Sequence, residues 1–123
     1  MVKASEPIRI GKKICKNRIT MAPTVKFASD EEGMVTDEFV KHYEERAKYG
    51  AGLIVVEATC INKSARLFPG QLGLWSDDQI EGHRKIAEAV HKYDALVIPQ
   101  IHHGGLGTHP ACGELTSPTK TKW

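Results

Sequence analysis

Leu53-Ile54-Val55-Val56, set between Gly50-Ala51-Gly52 and Glu57-Ala58-Thr59, is an unbroken apolar run. A strand with one wet face alternates apolar and polar residues, whereas a strand covered on both faces reads as a continuous apolar stretch. The run therefore predicts a strand of a parallel sheet. A second such run, Leu96-Val97-Ile98, follows after a helix-length spacer and is expected to close at Pro99, which cannot donate to a sheet ladder.

The spacers on either side read as helices. Upstream of Leu53, Thr36 stands at an N-cap position, with Val35 and Val40 placed to staple the first turn. Asp37 and Glu38 lie at the positive end of this helix and Arg46 and Lys48 near its negative end, while Phe39, Val40, Tyr43 and Ala47 share one face. Gly50 or Gly52 supplies the stop. Between the two apolar runs, Ser76 and Gln79 form a capping box, and Trp75 and Ile80 form a second staple. The expected buried side is Ile80, Ile86, Ala87, Val90 and Tyr93, with the helix ending near Asp94.

At the start of the chain, Ile8-Arg9-Ile10 and Ile14 flank Gly11-Lys12-Lys13 and predict a hairpin within residues 1–16. Arg18-Ile19-Thr20-Met21-Ala22, ended by Pro23, is the first candidate strand of the main sheet. The resulting order, strand-helix-strand-helix-strand, is an α/β pattern that needs right-handed crossovers. Periodicity leaves open whether the sheet is open or closed. From Gly104 to Trp123 no period is visible, and the segment, including the tail 106–123, reads as loop.

With 123 residues the chain is expected to form one domain. Seventeen basic side chains against 15 acidic ones give a formal charge of +2. The charges are interspersed, which points away from nucleic acid and from an acidic lipid surface as partners. Cys15, Cys60 and Cys112 are far apart and form no C-x-x-C pair, so neither a disulfide framework nor zinc-ribbon spacing is expected; a reducing, cytoplasmic setting fits best. No apolar run approaches the roughly 20 residues that span a bilayer, and the first residues lack a secretory apolar stretch.

In parallel α/β architectures ligands gather at the carboxyl ends of strands. That rule nominates three clusters: Ala22-Pro23-Thr24-Val25 with Lys26 and Phe27, Glu57-Ala58-Thr59, and Gln100-Ile101-His102-His103-Gly104-Gly105. None is a G-x-G-x-x-G turn or a P-loop.

Lys16-Asn17-Arg18-Ile19-Thr20-Met21-Ala22-Pro23, Gly33-Met34-Val35-Thr36-Asp37, His42-Tyr43-Glu44-Glu45-Arg46-Ala47 and Gly50 through Thr59 together resemble the old yellow enzyme family of NAD(P)H:flavin oxidoreductases. Leu72-Gly73-Leu74-Trp75-Ser76-Asp77-Asp78 and Gln100 through Gly105 extend the resemblance, which covers the chain from about Glu6 to about Gly105. It implies the N-terminal part of a (β/α)8 TIM barrel, about three β/α units plus a hairpin that caps the barrel floor. It also implies noncovalent FMN, NADH or NADPH as reductant, and a small-molecule acceptor such as an activated alkene. Carried over to this sequence, Ala22, Pro23 and Thr24 would contact the flavin ring, Ala58 would pack beside it, and Gln100 would hydrogen-bond its polar edge. Phe27 and His103 are the candidates for the substrate side. The resemblance places no catalytic residue within these positions. Two departures stand out: the position where many relatives carry a potential-tuning Thr or Cys is Val25, and the arginine that often follows the third motif is replaced by Leu106.

A barrel of this kind takes about 250 residues, so five of its eight units would lie outside this sequence. Two other readings accompany the leading one. The chain could be the start of a larger enoate or dienoyl-CoA reductase with an iron-sulfur cluster downstream, or a non-catalytic truncated product that self-associates as a homo-oligomer through open sheet edges. At the level of single residues, a zinc site of His102, His103, His109 and Cys112 is disfavoured, because adjacent strand residues point opposite ways. His42 reads as a structural helix residue. Glu57 reads as a carboxylate held by an arginine or a backbone N–H in preference to a general base, and Cys60 as a small buried hydrophobe in preference to a redox thiol. Phe27 reads equally as a substrate wall or a core plug.

Overall fold

The computed structural model describes residues 1 and 3–118, so the last part of the expected tail lies outside the described residues. The hairpin forms as expected, with β1 (Ile8–Ile10) antiparallel to β2 (Lys13–Cys15). Ile10 pairs with Lys13, which narrows the turn to Gly11-Lys12, and Gly11 takes the positive φ (57°) that tight hairpin turns require.

The main sheet has the order β3-β4-β5, all parallel, and the described strands do not close into a barrel. β3 (Thr20–Met21) is shorter than the expected Arg18–Ala22 run. β4 (Leu53–Cys60) extends four residues beyond Val56. β5 (Leu96–His102) runs through Pro99, contrary to the expected stop. A proline is tolerated there because β5 is an edge strand among the described residues, and Pro99 sits opposite Val56 at a register irregularity between Val56 and Ala58.

Helix α1 (Asp37–Lys48) has Thr36 at its N-cap, but the Thr36 hydroxyl donates to the Ala28 carbonyl at 3.3 Å and does not cap the helix. Gly50, at φ 115°, follows its C-terminus. The expected capping box forms at Ser76 and Gln79, on a short 3₁₀ turn (Asp77–Gln79) that leads into α2 (Ile80–His91). Of the expected buried side, Ile86 and Val90 are buried, Ala87 and Tyr93 are half-buried and Ile80 is exposed, while Ala89 is buried in addition. The capping turn displaces the helix start, so the face presented to the sheet begins later than the sequence spacing suggested.

Phe39, Tyr43, Ala47, Ile54, Val56, Leu72, Ile86 and Val90 form the core between helices and sheet, with Val35, Val40, Tyr93 and Val97 packed against it. Burying each large apolar side chain contributes about 1.5–3 kcal/mol. The other face of β4 is only half covered, since Leu53 and Val55 keep partial exposure. The expected double coverage is thus met on one side. At the floor of the sheet, Lys16 Nζ donates to the carbonyls of Ala47 and Tyr93, so one cation serves the ends of both helices. Gly52 opens β4 there against Cys15 and Asn17, where any Cβ would collide with the Asn17 side chain.

Candidate functional site

The expected cofactor residues all fall at the carboxyl end of the three strands. Ala22, Pro23 and Thr24 leave β3 directly after Met21, Ala58 is in β4 and Gln100 is in β5. The register irregularity at Glu57 sets Ala58 opposite Gln100 and Cys60 opposite His102. In a parallel ladder, residues in register project from the same face, so the small buried Ala58 lies beside the exposed Gln100 amide. Ala22 and Thr24 are exposed and Pro23 is half-buried.

Phe27 holds a left-handed backbone (φ 55°), which costs a non-glycine residue roughly 1–3 kcal/mol. Its ring meets the Phe68 edge at 4.5 Å and 74°, and Phe68 in turn lies 5.6 Å from the His109 ring. Phe27 is 45% exposed, so it does not plug the core. His103 is exposed and its Nδ1 accepts the Gly105 N–H at 3.1 Å, beside a groove lined by Gly105, Thr116, Ser117 and Pro118.

Behind the strand ends sits a polar cluster that periodicity did not signal. Glu57 is fully buried, and its Oε2 accepts the Lys26 N–H at 3.1 Å and the Tyr43 hydroxyl at 3.4 Å. The same hydroxyl accepts the Glu57 N–H at 3.0 Å. Glu57 Oε1 is buried with no partner. Burial pushes the Glu57 carboxyl above its ordinary range, against the lowering effect of the Lys26 N–H and the Tyr43 hydroxyl. The carboxylate is therefore held by a backbone N–H, one of the two holders expected, and by a tyrosine in place of an arginine. It anchors the segment that carries the strained Phe27. His42 packs its ring edge-on to Tyr43 at 5.0 Å, and burial, with Arg46 and Lys26 nearby, lowers its pKa to about 4.

The segment after β4 is tied down by three side chains, of which the sequence singles out only Gln79, as a capping-box residue. Arg66 donates to the carbonyls of Lys63, Glu31 and Pro69, and its guanidinium lies 5.4 Å from the Trp75 ring centre. Gln79 bridges Glu32 to the Trp75 and Ser76 amides. Gln71, fully buried, links Leu67, Ala58 and His102. Only tertiary structure shows what Arg66 and Gln71 hold, because a single polar residue in a loop has no periodic signature. Cys60 is buried, with its thiol directed at the Asn62 and Ala65 carbonyls, as a small structural residue would be. All three cysteines are free, and among the described residues no group of three His, Cys, Asp or Glu side chains could hold a metal ion. No helix among the described residues is long and apolar enough to cross a membrane.

A three-stranded parallel sheet with two helices packed behind it defines a piece of an α/β fold. Residues 4–115 match the NADH:flavin oxidoreductase / NADH oxidase family. The NADPH dehydrogenase of Halalkalibacterium halodurans is 41% identical over 91 residues, covering 73% of this chain and 27% of its own length. A probable flavin mononucleotide-dependent alkene reductase of Leishmania infantum is 36% identical over 106 residues, 86% of this chain and 28% of its own. Among solved structures, the old yellow enzyme of Trypanosoma cruzi superposes with a TM-score of 0.81 at 38% identity, over 89% of this chain and 29% of that one. The chain belongs to the NADH:flavin oxidoreductase / NADH oxidase family and has the fold of the first β/α units of an old yellow enzyme barrel, as the resemblance implied. It spans less than a third of the length of these relatives.

Proposed function

We propose that this chain supplies part of the flavin-holding face, at the carboxyl ends of the strands, of an FMN-dependent NAD(P)H oxidoreductase whose acceptor is an activated alkene such as an enone or enoate. The observation that carries the reading is the register pair Ala58 and Gln100, set beside Ala22, Pro23 and Thr24 at one end of the sheet. The residues present suit such a ring. Ala58 offers a flat, small contact, Gln100 offers both amide donors and an acceptor, and neither the Gln100 amide nor the Thr24 hydroxyl is engaged by another described side chain or backbone group. Bound FMN would supply the hydride chemistry, accepting a hydride from NAD(P)H and passing it to the alkene. The chain's own part is to fix the ring's orientation through Gln100, to pack its flat side on Ala58 and Pro23, and to wall the acceptor space with Phe27. Residues beyond this sequence would complete the site, and residues 1–123 would then form one partial barrel domain.

Titration with FMN, followed by quenching of flavin fluorescence, tests this directly. Saturable quenching is expected, with Gln100→Ala weakening binding by about tenfold, the worth of one good hydrogen bond. Absence of binding, or equal affinity in the variant, would count against the assignment for this chain. A second reading, self-association without catalysis, is favoured by the unpaired outer edge of β5 and by Ile98 and Ile101, 49% and 56% exposed. Size-exclusion chromatography separates the two, since a clean monomer of 13.6 kDa would remove it.

A further inference from the structure

The next side chain beyond Gln100 on the same face of β5 is His102. Gln100 pairs with Ala58 and His102 with Cys60, so the two project from one face roughly 7 Å apart along the strand. His102 is half-buried, and its Nδ1 lies 3.3 Å from the Gln71 side-chain nitrogen.

The orientation of the Gln71 amide decides which ring nitrogen carries the proton. Gln71 Oε1 accepts the Leu67 N–H at 2.7 Å, and its Nε2 donates to the Ala58 carbonyl at 2.9 Å. Reversing the amide would set its NH₂ against an N–H and its oxygen against a carbonyl, losing both bonds inside a buried site. The nitrogen therefore faces His102, and its second hydrogen is directed at Nδ1. A donor requires an acceptor, so Nδ1 is bare and the ring proton sits on Nε2. Burial and the neighbouring His103 both hold the His102 pKa below its ordinary value, which keeps the ring neutral. Gln71 is the one described hydrogen-bond partner of the ring, which leaves the Nε2–H donor uncommitted.

We propose that His102 is a ligand-contacting donor of this site, its Nε2–H tautomer set by the positioning residue Gln71, and that it hydrogen-bonds an acceptor oxygen of the FMN seated on Ala58 and Gln100. The ligand half of this inference rests on the proposed flavin reading; the tautomer half rests on the Gln71 geometry alone.

Long-range proton–nitrogen correlations of the histidine rings in the isotope-labelled chain test the two halves separately. At neutral pH and without FMN, His102 is expected to show the Nε2–H pattern. An Nδ1–H or imidazolium pattern overturns the tautomer assignment, whatever FMN does. On adding FMN, the His102 Nε2 resonance is expected to move with the same saturation curve as flavin quenching. If FMN quenches and this resonance stays fixed, the contact is overturned while the flavin reading stands. If FMN does not bind, the flavin reading and the contact both fall for this chain, and the tautomer is still decided by the free spectrum. His102→Phe should weaken FMN by about tenfold and His102→Gln, which keeps a donor at similar reach, should restore most of it. Equal affinity in all three forms overturns the contact. Gln71→Leu should leave His102 with a mixture of tautomers. If that variant misfolds, the wild-type spectrum remains decisive.

Discussion

The two faces of the central sheet are built to different standards. On the helix side, Ile54 and Val56 are sealed beneath Phe39, Tyr43, Leu72, Ile86 and Val90. On the opposite side, Leu53 and Val55 are half-buried and Ile98 and Gln100 stand exposed. The first face satisfies itself, and the cohesion of the chain resides there. The second carries apolar and polar groups that nothing in the described chain covers, and it is on that face that Ala58, Gln100 and His102 lie.

The sharpest way to break this contrast is to truncate one apolar side chain on each face. Phe39→Ala removes a fully buried ring from the helix-side core and should destabilise the chain by about 3–5 kcal/mol, a large fraction of the stability typical of a single domain. Ile98→Thr, on the open face, should change stability by less than about 0.5 kcal/mol. Urea unfolding measures both. Comparable losses would mean that the open face is covered in solution, as self-association would require.

Between these extremes lies Glu57, which touches both regions, being packed on α1 and anchoring the segment that carries Phe27. Glu57→Leu strands the Lys26 N–H and the Tyr43 hydroxyl and should cost about 1–3 kcal/mol. Glu57→Gln keeps an acceptor for them and should cost less. The sign of its pH dependence follows from linkage. The folded carboxyl titrates above its ordinary 4.5, so above that value the unfolded chain releases its proton first and folding is penalised increasingly as pH rises, until the folded group also ionises. Relative to wild type, Glu57→Gln should therefore gain stability as pH is raised from 4.5, and a flat difference across that range would refute the raised pKa. Faster amide exchange at Lys26 in Glu57→Leu would show that the anchor holds the loop.

How much of this was legible beforehand depended on periodicity. The Leu53–Val56 run, the Ser76/Gln79 box and the Phe39/Tyr43/Ala47 face each repeat at the spacing of their element, and each formed where expected. Pro99 misled because the rule that stops strands at proline applies to central strands, and β5 has a free edge. Ile80 misled because a 3₁₀ turn took up the first residues of the presumed helix. Within the site, the positions at strand ends followed from topology, and their flavin roles from resemblance. Gln71 and Arg66 had no such signal, and Glu57 was nominated by its strand end without its partners: each holds at least one group 13 to 35 residues away, Tyr43 for Glu57, Ala58 for Gln71 and Glu31 for Arg66, a distance at which sequence spacing carries no information.

The smallest effect concerns His42, at the outer edge of the sealed face. Its ring packs against Tyr43, its Nε2 is buried without a partner, and its pKa falls from 6.5 to about 4. Below 6.5 the unfolded chain binds a proton on this side chain while the folded one refuses it until about 4, so wild-type stability declines as pH falls through that window and the penalty then levels off. The surrounding charges are mixed, with Arg46 and Lys26 opposing protonation and Glu38 and Glu45 favouring it, so solvent screening blunts the effect. His42→Phe retains an edge-on aromatic contact and removes the titration. At neutral pH it should match wild type within about 0.5 kcal/mol. Its advantage should then widen on acidification and stop growing near pH 4. Glu57 titrates in an overlapping range with the opposite sign, but it is present in both proteins and cancels in the difference. A difference that does not vary with pH would place His42 in solvent and move the boundary of the sealed face inward to Tyr43.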